Sequence, residues 1–299
     1  MNYESINGEN LKGWYTGDGM TYLYNSDLSQ FADGFWPTVN SYRLPGTTVD
    51  SVPLANSAGH NTFSSQNWVG GASILGSYGV AGMSLTSVFG TLTAKKSWFM
   101  FDDEIVALGS DISSQDGRTI ETIVENRKLN SGGNNTLTVD GRAKPSTLGW
   151  SETMAGAGWV HLAGSTPGAD IGYYFPGAAT VKGLREARTS SWSDIGTGST
   201  SSITRNYVTL WFDHGASPSD RSYAYVLLPN KTASEVGAYA GNPQVTILGN
   251  SSAVHAVREN TLNIVAANFW QDTPTTVDLI TCDRKARSEE RRVGKECRL

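Results

Sequence analysis

From Leu92 onward the chain places β-branched and aromatic residues in short runs and breaks each run with Gly, Pro, Asn, Asp or Ser, a rhythm that predicts strands. TLTAKKSWFMFDD and EIVALGSDIS read as adjacent strands meeting at a turn around Asp102 and Asp103. TIETIVENR follows, then NTLTVDG after the SGGN turn. GWVHLAG, DIGYYFP, NYVTLWFDHG, SYAYVLLPN, QVTILGN, AVHAVREN, LNIVAANF and TTVDLITCD continue at the short spacing of a β-sandwich. YVTLWFDHGASPSDRSYAYVLL reads as a hairpin closed by the loop HGASPSDR. Upstream, residues 57–84 are rich in Gly and Ser, with apolar anchors at Phe63, Trp68, Val69, Ile74 and Leu75, and predict loops and short strands. Helix is confined to one or two turns near Thr232 to Tyr239. No linker-like break and no fixed-period repeat interrupts the pattern, so one continuous all-β domain is the simplest organisation.

Composition agrees with the pattern. The 299 residues include 33 Gly, 9 Trp and 12 Tyr with only 17% charged residues, unlike the Ala/Glu/Lys/Leu balance of helical proteins. The formal net charge is −5 and no basic cluster interleaves with the aromatics, which argues against nucleic acid as a partner. Net charge says little about a local cleft, and Arg43, Arg127, Arg185 and Arg188 are candidates to line one that takes a polyanion. Cys282 and Cys297 are too few for a disulfide framework and lack metal-ligand spacing, and the sequence encodes neither a membrane span nor a leader. Residues 284–299, RKARSEERRVGKECRL, break with the rest: seven are Lys or Arg and three are Glu. They resemble translated adapter or vector sequence and are expected to form a non-native tail that is dispensable for folding.

Residues 7–50, NGENLKGWYTGDGMTYLYNSDLSQFADGFWPTVNSYRLPGTTVD, have neither helical nor clean strand periodicity, yet they are dense in aromatics, glycines and amides. Trp14, Tyr15, Tyr22, Tyr24, Phe31, Phe35, Trp36 and Tyr42 offer rings for sugar faces; Asn7, Asn10, Asp18, Asn25, Asp27 and Asn40 offer partners for hydroxyls. GWYTGDGMTYLYN, FWPTVN and RLPGTT in this segment closely resemble the signature of the family 8 polysaccharide lyases, which cleave hyaluronan, chondroitin or xanthan by β-elimination. The resemblance runs through most of residues 2–283, with further matching stretches at TIVENRKL, REARTSSWSDI, YVTLWFDHG and YAYVLLPN. It implies a large antiparallel multi-sheet β-sandwich. The corresponding division is a junction segment at 1–50, a central β-sandwich domain at 51–283 and the tail at 284–299.

Elimination on a uronic acid requires removal of the C5 proton, neutralisation of the adjacent carboxylate and protonation of the departing O4. By resemblance, a Tyr, a His and an Asn on a helical domain preceding this region fill these roles. That implies a chain starting inside a longer, secreted protein, with that helical domain and an acidic polysaccharide as its partners, no cofactor, and no catalytic residue of its own. His60, His161, His214 and His255 are widely spaced and read as structural. Serine-hydrolase, P-loop, dinucleotide and EF-hand patterns are absent.

The local candidates lie in ENR, Glu125-Asn126-Arg127: an Asn amide can both donate to and accept from sugar hydroxyls, and an Arg can bind a carboxylate bidentately. The resemblance matches Asn126 to an Asn reaching into the substrate cleft and Asn2 to one near the catalytic arginines, while Trp14 and Tyr15 complete the expected substrate-binding set. Two other readings stay open. One is a stand-alone carbohydrate-binding module; the other is a glycoside hydrolase using a pair from Asp18, Asp27, Asp33 and Glu125.

Overall fold

The computed structural model describes residues 8–291. Short strands β1 (Thr48–Asp50), β2 (Val69–Ile74), β3 (Tyr78–Thr86), β4 (Thr93–Met100), β5 (Ile105–Ser113) and β6 (Thr119–Lys128) lead to β7 (Leu137–Val139), β8 (Arg142–Ala143) and the long β9 (Ser151–Leu162) and β10 (Ile171–Ser190). β11 (Ile203–Ala216), β12 (Arg221–Pro229), β13 (Val245–Asn250), β14 (Val254–Glu259), β15 (Ile264–Phe269), β16 (Thr275–Val277), β17 (Ile280–Cys282) and β18 (Ala286–Arg291) follow. Among the described residues, helix is limited to α1 (Phe35–Thr38) and α2 (Ala233–Gly241) plus a 3-10 turn at Trp192–Asp194. The expected helix is present because Thr232 and Glu235 cap each other reciprocally at its first turn.

One antiparallel sheet runs β1-β6-β11-β10-β12-β5-β4-β3-β2, with β9, β7 and β8 branching from β10. A second sheet is ordered β13-β14-β15-β18, and β16 and β17 pair separately. Alternation along the strands builds three stacked apolar layers. Val208, Leu210 and Phe212 of β11 pack with Tyr223, Tyr225 and Leu227 of β12. On the other face of β12 and its neighbours, Val226, Leu228, Val106 and Phe99 meet Val257, Ile264 and Ala266 of the second sheet. Val254, Ala256, Val265 and Phe269 then bury Val277 and Ile280.

The expected hairpin of β11 and β12 does not form, because each pairs instead with a different stretch of β10. That strand pairs through Ile171–Tyr174 with β12 and through Lys182–Ser190 with β11. The two aromatic strands instead meet face to face, with the rings of Phe212 and Tyr223 stacked at 5.9 Å. Aromatic alternation serves a layer contact as well as it serves an edge contact, so the local pattern does not reveal the pairing of each with β10. TTVDLITCD likewise divides into β16 and β17 around a turn with Asp278 at φ 51°. Within the stretch expected to be a dispensable tail, residues 286–291 form β18 and pair with Ile264–Phe269 of β15.

Candidate functional site

Residues 8–47 pack largely as coil against the main sheet, with Trp14, Phe35, Val39 and Leu44 around Tyr207 of β11 and Leu23 in the main core, and the segment ends in β1 paired with β6. A coil has no ladder of its own, so its carbonyls need donors from elsewhere. Buried cations supply them: the Lys96 ammonium donates to the carbonyls of Asp18 (3.1 Å) and Gly46 (2.6 Å), and Lys128 to those of Ser29 (2.7 Å) and Ala32 (3.2 Å). Burial pushes Lys96 down to about 7 and the neighbouring Asp18 carboxyl up to about 7. Gly46 sits at φ 81°, and a Cβ there would overlap Thr21 Oγ1, so a side chain is excluded at this crossing. Arg43 lies over the Trp211 ring at 4.1 Å and pairs with Glu121, and Arg205 pairs with Asp33 at 2.7 Å.

This packing places the expected substrate-binding residues inside. Asn126 is fully buried: its amide donates to the Arg43 carbonyl (2.7 Å) and accepts from Arg188 (2.9 Å) and Thr209 (3.3 Å). Arg127 is buried and paired with Glu125, whose carboxylate also accepts from the Tyr173 hydroxyl. Trp14 and Tyr15 are core residues of the segment, packed with Phe35, Val39, Leu44 and Tyr207. Their rings are buried because an irregular segment with few aliphatic residues has little else with which to exclude water. Asn2 lies outside the described residues.

The arginines expected to line a cleft are likewise committed: Arg185 donates to the carbonyls of Gly133 and Asn135, and Arg188 pairs with Glu186. Of the carboxylates of the glycosidase reading, Asp27 accepts from the backbone and hydroxyl of Ser29. Asp18 and Glu125 are buried, and Asp33 is neutralised by Arg205 and Lys128. His255 is held between Ser97 and Ser110 at 2.8 Å each and burial pushes it down to about 3; His214 bonds Thr122 and burial pushes it down to about 4.

Two grooves flank the segment. The larger, about 680 Å³, runs past Asp33, Lys128, Asn130, Leu148, Arg205 and Asn206. Its cations Lys128 and Arg205 are paired with Asp33, and Asp27 adds a further carboxylate to its lining. The other, about 440 Å³, is lined by Lys12, Asn40, Ser41, Tyr42 and Asn56 above a floor that includes Trp14, Pro37 and Ile195. Neutral amides and a hydroxyl over ring and apolar surface suit a polyhydroxylated ligand. Among the described residues no His, Asp or Glu lines this second groove, so it offers binding groups without a general-base carboxylate or imidazole. Sequence reasoning missed Lys12, Ser41 and Asn56. The Tyr22, Tyr24, Phe31 and Trp36 rings form a separate ridge, with Tyr24 63% exposed and its ring 5.1 Å from Phe31.

One buried carboxylate lies apart from both grooves. Neither oxygen of Glu104 makes a hydrogen bond of good geometry, although the Tyr239 hydroxyl, itself unpaired, is close by. Burial, with the Glu259 charge beside it, pushes Glu104 up to about 7. A proton on this carboxyl therefore favours the folded chain.

Comparison with known proteins places this geometry in context. Residues 1–240 match the model of the polysaccharide lyase family 8 super-sandwich domain, and residues 246–291 that of the C-terminal beta-sandwich domain of the same family. The boundary falls where α2 ends and β13 begins, and the second match extends through β18. A xanthan lyase of Bacillus sp. (strain GL1) is 54% identical over 299 residues, covering 98% of this chain and 32% of the relative. The solved Paenibacillus xanthan lyase superposes with TM-score 0.95 at 61% identity over 98% of this chain and 28% of its own. A Streptomyces coelicolor chondroitin AC lyase, solved in complex with chondroitin sulphate, gives 0.85 at 39% identity over 98% of this chain and 37% of its own. The chain thus spans about one third of the length of the relatives it matches.

Proposed function

Because this chain belongs to polysaccharide lyase family 8, we propose that it is the β-domain portion of a secreted lyase that cleaves an acidic polysaccharide by β-elimination, and that the Lys12–Asn56 groove is part of its substrate-facing wall. The observation that carries this reading is the pairing of family membership with a groove lined by the neutral amides of Asn40 and Asn56 and, among the described residues, by no His, Asp or Glu. A wall of this kind orients a sugar chain; the acid and base come from residues outside the 299, on the helical domain expected upstream. Sequence identity ranks the polymers to assay, with xanthan first: 61% with the xanthan lyase structure against 39% with the chondroitin lyase.

The test is expression of the full-length gene product and assay of each polymer for the unsaturated product by its ultraviolet absorbance. Elimination predicts absorbance growth that parallels chain scission. Scission giving saturated ends only would establish hydrolysis and defeat the reading. The 299-residue chain by itself is expected to show no turnover, because it can position a substrate but lacks the full set of proton-transfer groups.

A further inference from the structure

We infer that Lys12 is the specificity-determining cation of this groove, its ammonium receiving a sugar-borne carboxylate and so favouring acidic over neutral saccharides. The inference rests on the groove reading above and adds a charge-selective role to it.

Neighbouring cations around the segment are already committed. Arg43 is paired with Glu121, Arg127 with Glu125, Arg188 with Glu186, and both Arg205 and Lys128 with Asp33. Lys12 differs: among the described residues no carboxylate lies within salt-bridge distance of it, and it is the sole charged residue lining its groove. Asp194, the acid whose field reaches it, accepts the Ser190 hydroxyl and the Ser191 backbone and hydroxyl at Oδ2 and forms no ion pair with the ammonium.

The backbone at this point is fixed. Leu11 donates to the Ile195 carbonyl at 2.6 Å and accepts from the Ser57 amide at 2.7 Å, while the Lys12 amide donates to Asn10 Oδ1 at 2.9 Å. A lysine presents its charge as a compact point on a flexible stem, so it accepts a carboxylate in many orientations while the amides of Asn40 and Asn56 meet hydroxyls. The chain carries a net charge of −5, so a polyanion needs a local positive centre to settle here.

The experiment is an NMR titration of the 299-residue chain with a hyaluronan hexasaccharide and with the same hexasaccharide after reduction of its carboxyl groups. Wild type is compared with Lys12→Gln, Lys12→Arg and Asn56→Ala. For a partly solvated ion pair, Lys12→Gln should weaken binding of the acidic form by about three- to tenfold and leave the reduced form unchanged. Lys12→Arg should retain the preference, and Asn56→Ala should weaken both forms alike. If Asn56→Ala weakens binding but Lys12→Gln does not, or weakens both sugars equally, the role of Lys12 is refuted while the groove stands. If neither sugar shifts any groove resonance of the wild type, the groove reading fails and this inference with it.

Discussion

Replacing Asn126 by alanine distinguishes a structural amide from a sugar-binding one. The substitution removes one donated and two accepted hydrogen bonds, at 2.7, 2.9 and 3.3 Å, from a fully buried position. Each such bond contributes about 0.5–1.5 kcal/mol, and a buried group left unpaired costs about 1–3 kcal/mol. The Arg43 carbonyl loses its donor, whereas Arg188 keeps Glu186 and Thr209, so the total is set mainly by one orphaned carbonyl and the three lost bonds. That gives about 2.5–7.5 kcal/mol, and at about 2–4 °C per kcal/mol for a chain of this size a fall in Tm of roughly 5–30 °C. Near-ultraviolet circular dichroism during heating measures it, and titration with sugar at low temperature measures binding by the molecules that remain folded. A variant that melts within about 2 °C of wild type yet loses sugar binding would refute the structural assignment and return Asn126 to the substrate.

Glu104→Gln tests the buried carboxylate. Its folded pKa, about 7, is raised above the ordinary value of 4.5, so folding is favoured by protonation; that contribution is fully present below about pH 4.5 and is lost as pH rises through 7. In metal-free buffer the variant should therefore melt higher than wild type at pH 8, by an amount that shrinks toward pH 4.5, and a pH-independent difference would contradict this account. A chain ended at Lys285 loses the ladder of Ala286–Arg291 along β15 and should melt several degrees lower, whereas an unchanged Tm would return that stretch to the status of a dispensable tail.

Much of the fold was legible because strands depend on local alternation and turns on local residues. β4 and β5 pair as their sequence suggests, around the turn at Asp102 and Asp103, and the reciprocal cap of Thr232 and Glu235 marks α2. Which strands lie side by side was less legible, since the pairing of β11 and β12 with different stretches of β10 is specified by long-range packing. The inward placement of Asn126 was hidden for a related reason. Along β6 the register slips between Ile123 and Glu125, opposite Trp211 and Leu210. Such a bulge reverses the alternation, so Asn126 joins Glu121 and Lys128 beneath the covering segment. Its partners Arg43, Arg188 and Thr209 are 62 to 83 positions away, beyond any local signal. Lys12 and Asn56 are ordinary in sequence, and only the folded backbone brings them to one groove.

Strand β10 also bears on how such a protein can be divided. Its twenty residues engage β9 along one edge and both β11 and β12 along the other, so a cut within it would sever ladders belonging to both halves of the main sheet. Exchange of segments between related genes is tolerated best where no strand pairing must be rebuilt, and the stretch between Gly241 and Val245, after α2 and before β13, is such a seam. A recombinant joined there inherits each sheet with its partners intact, whereas one joined inside β10 inherits two mismatched halves.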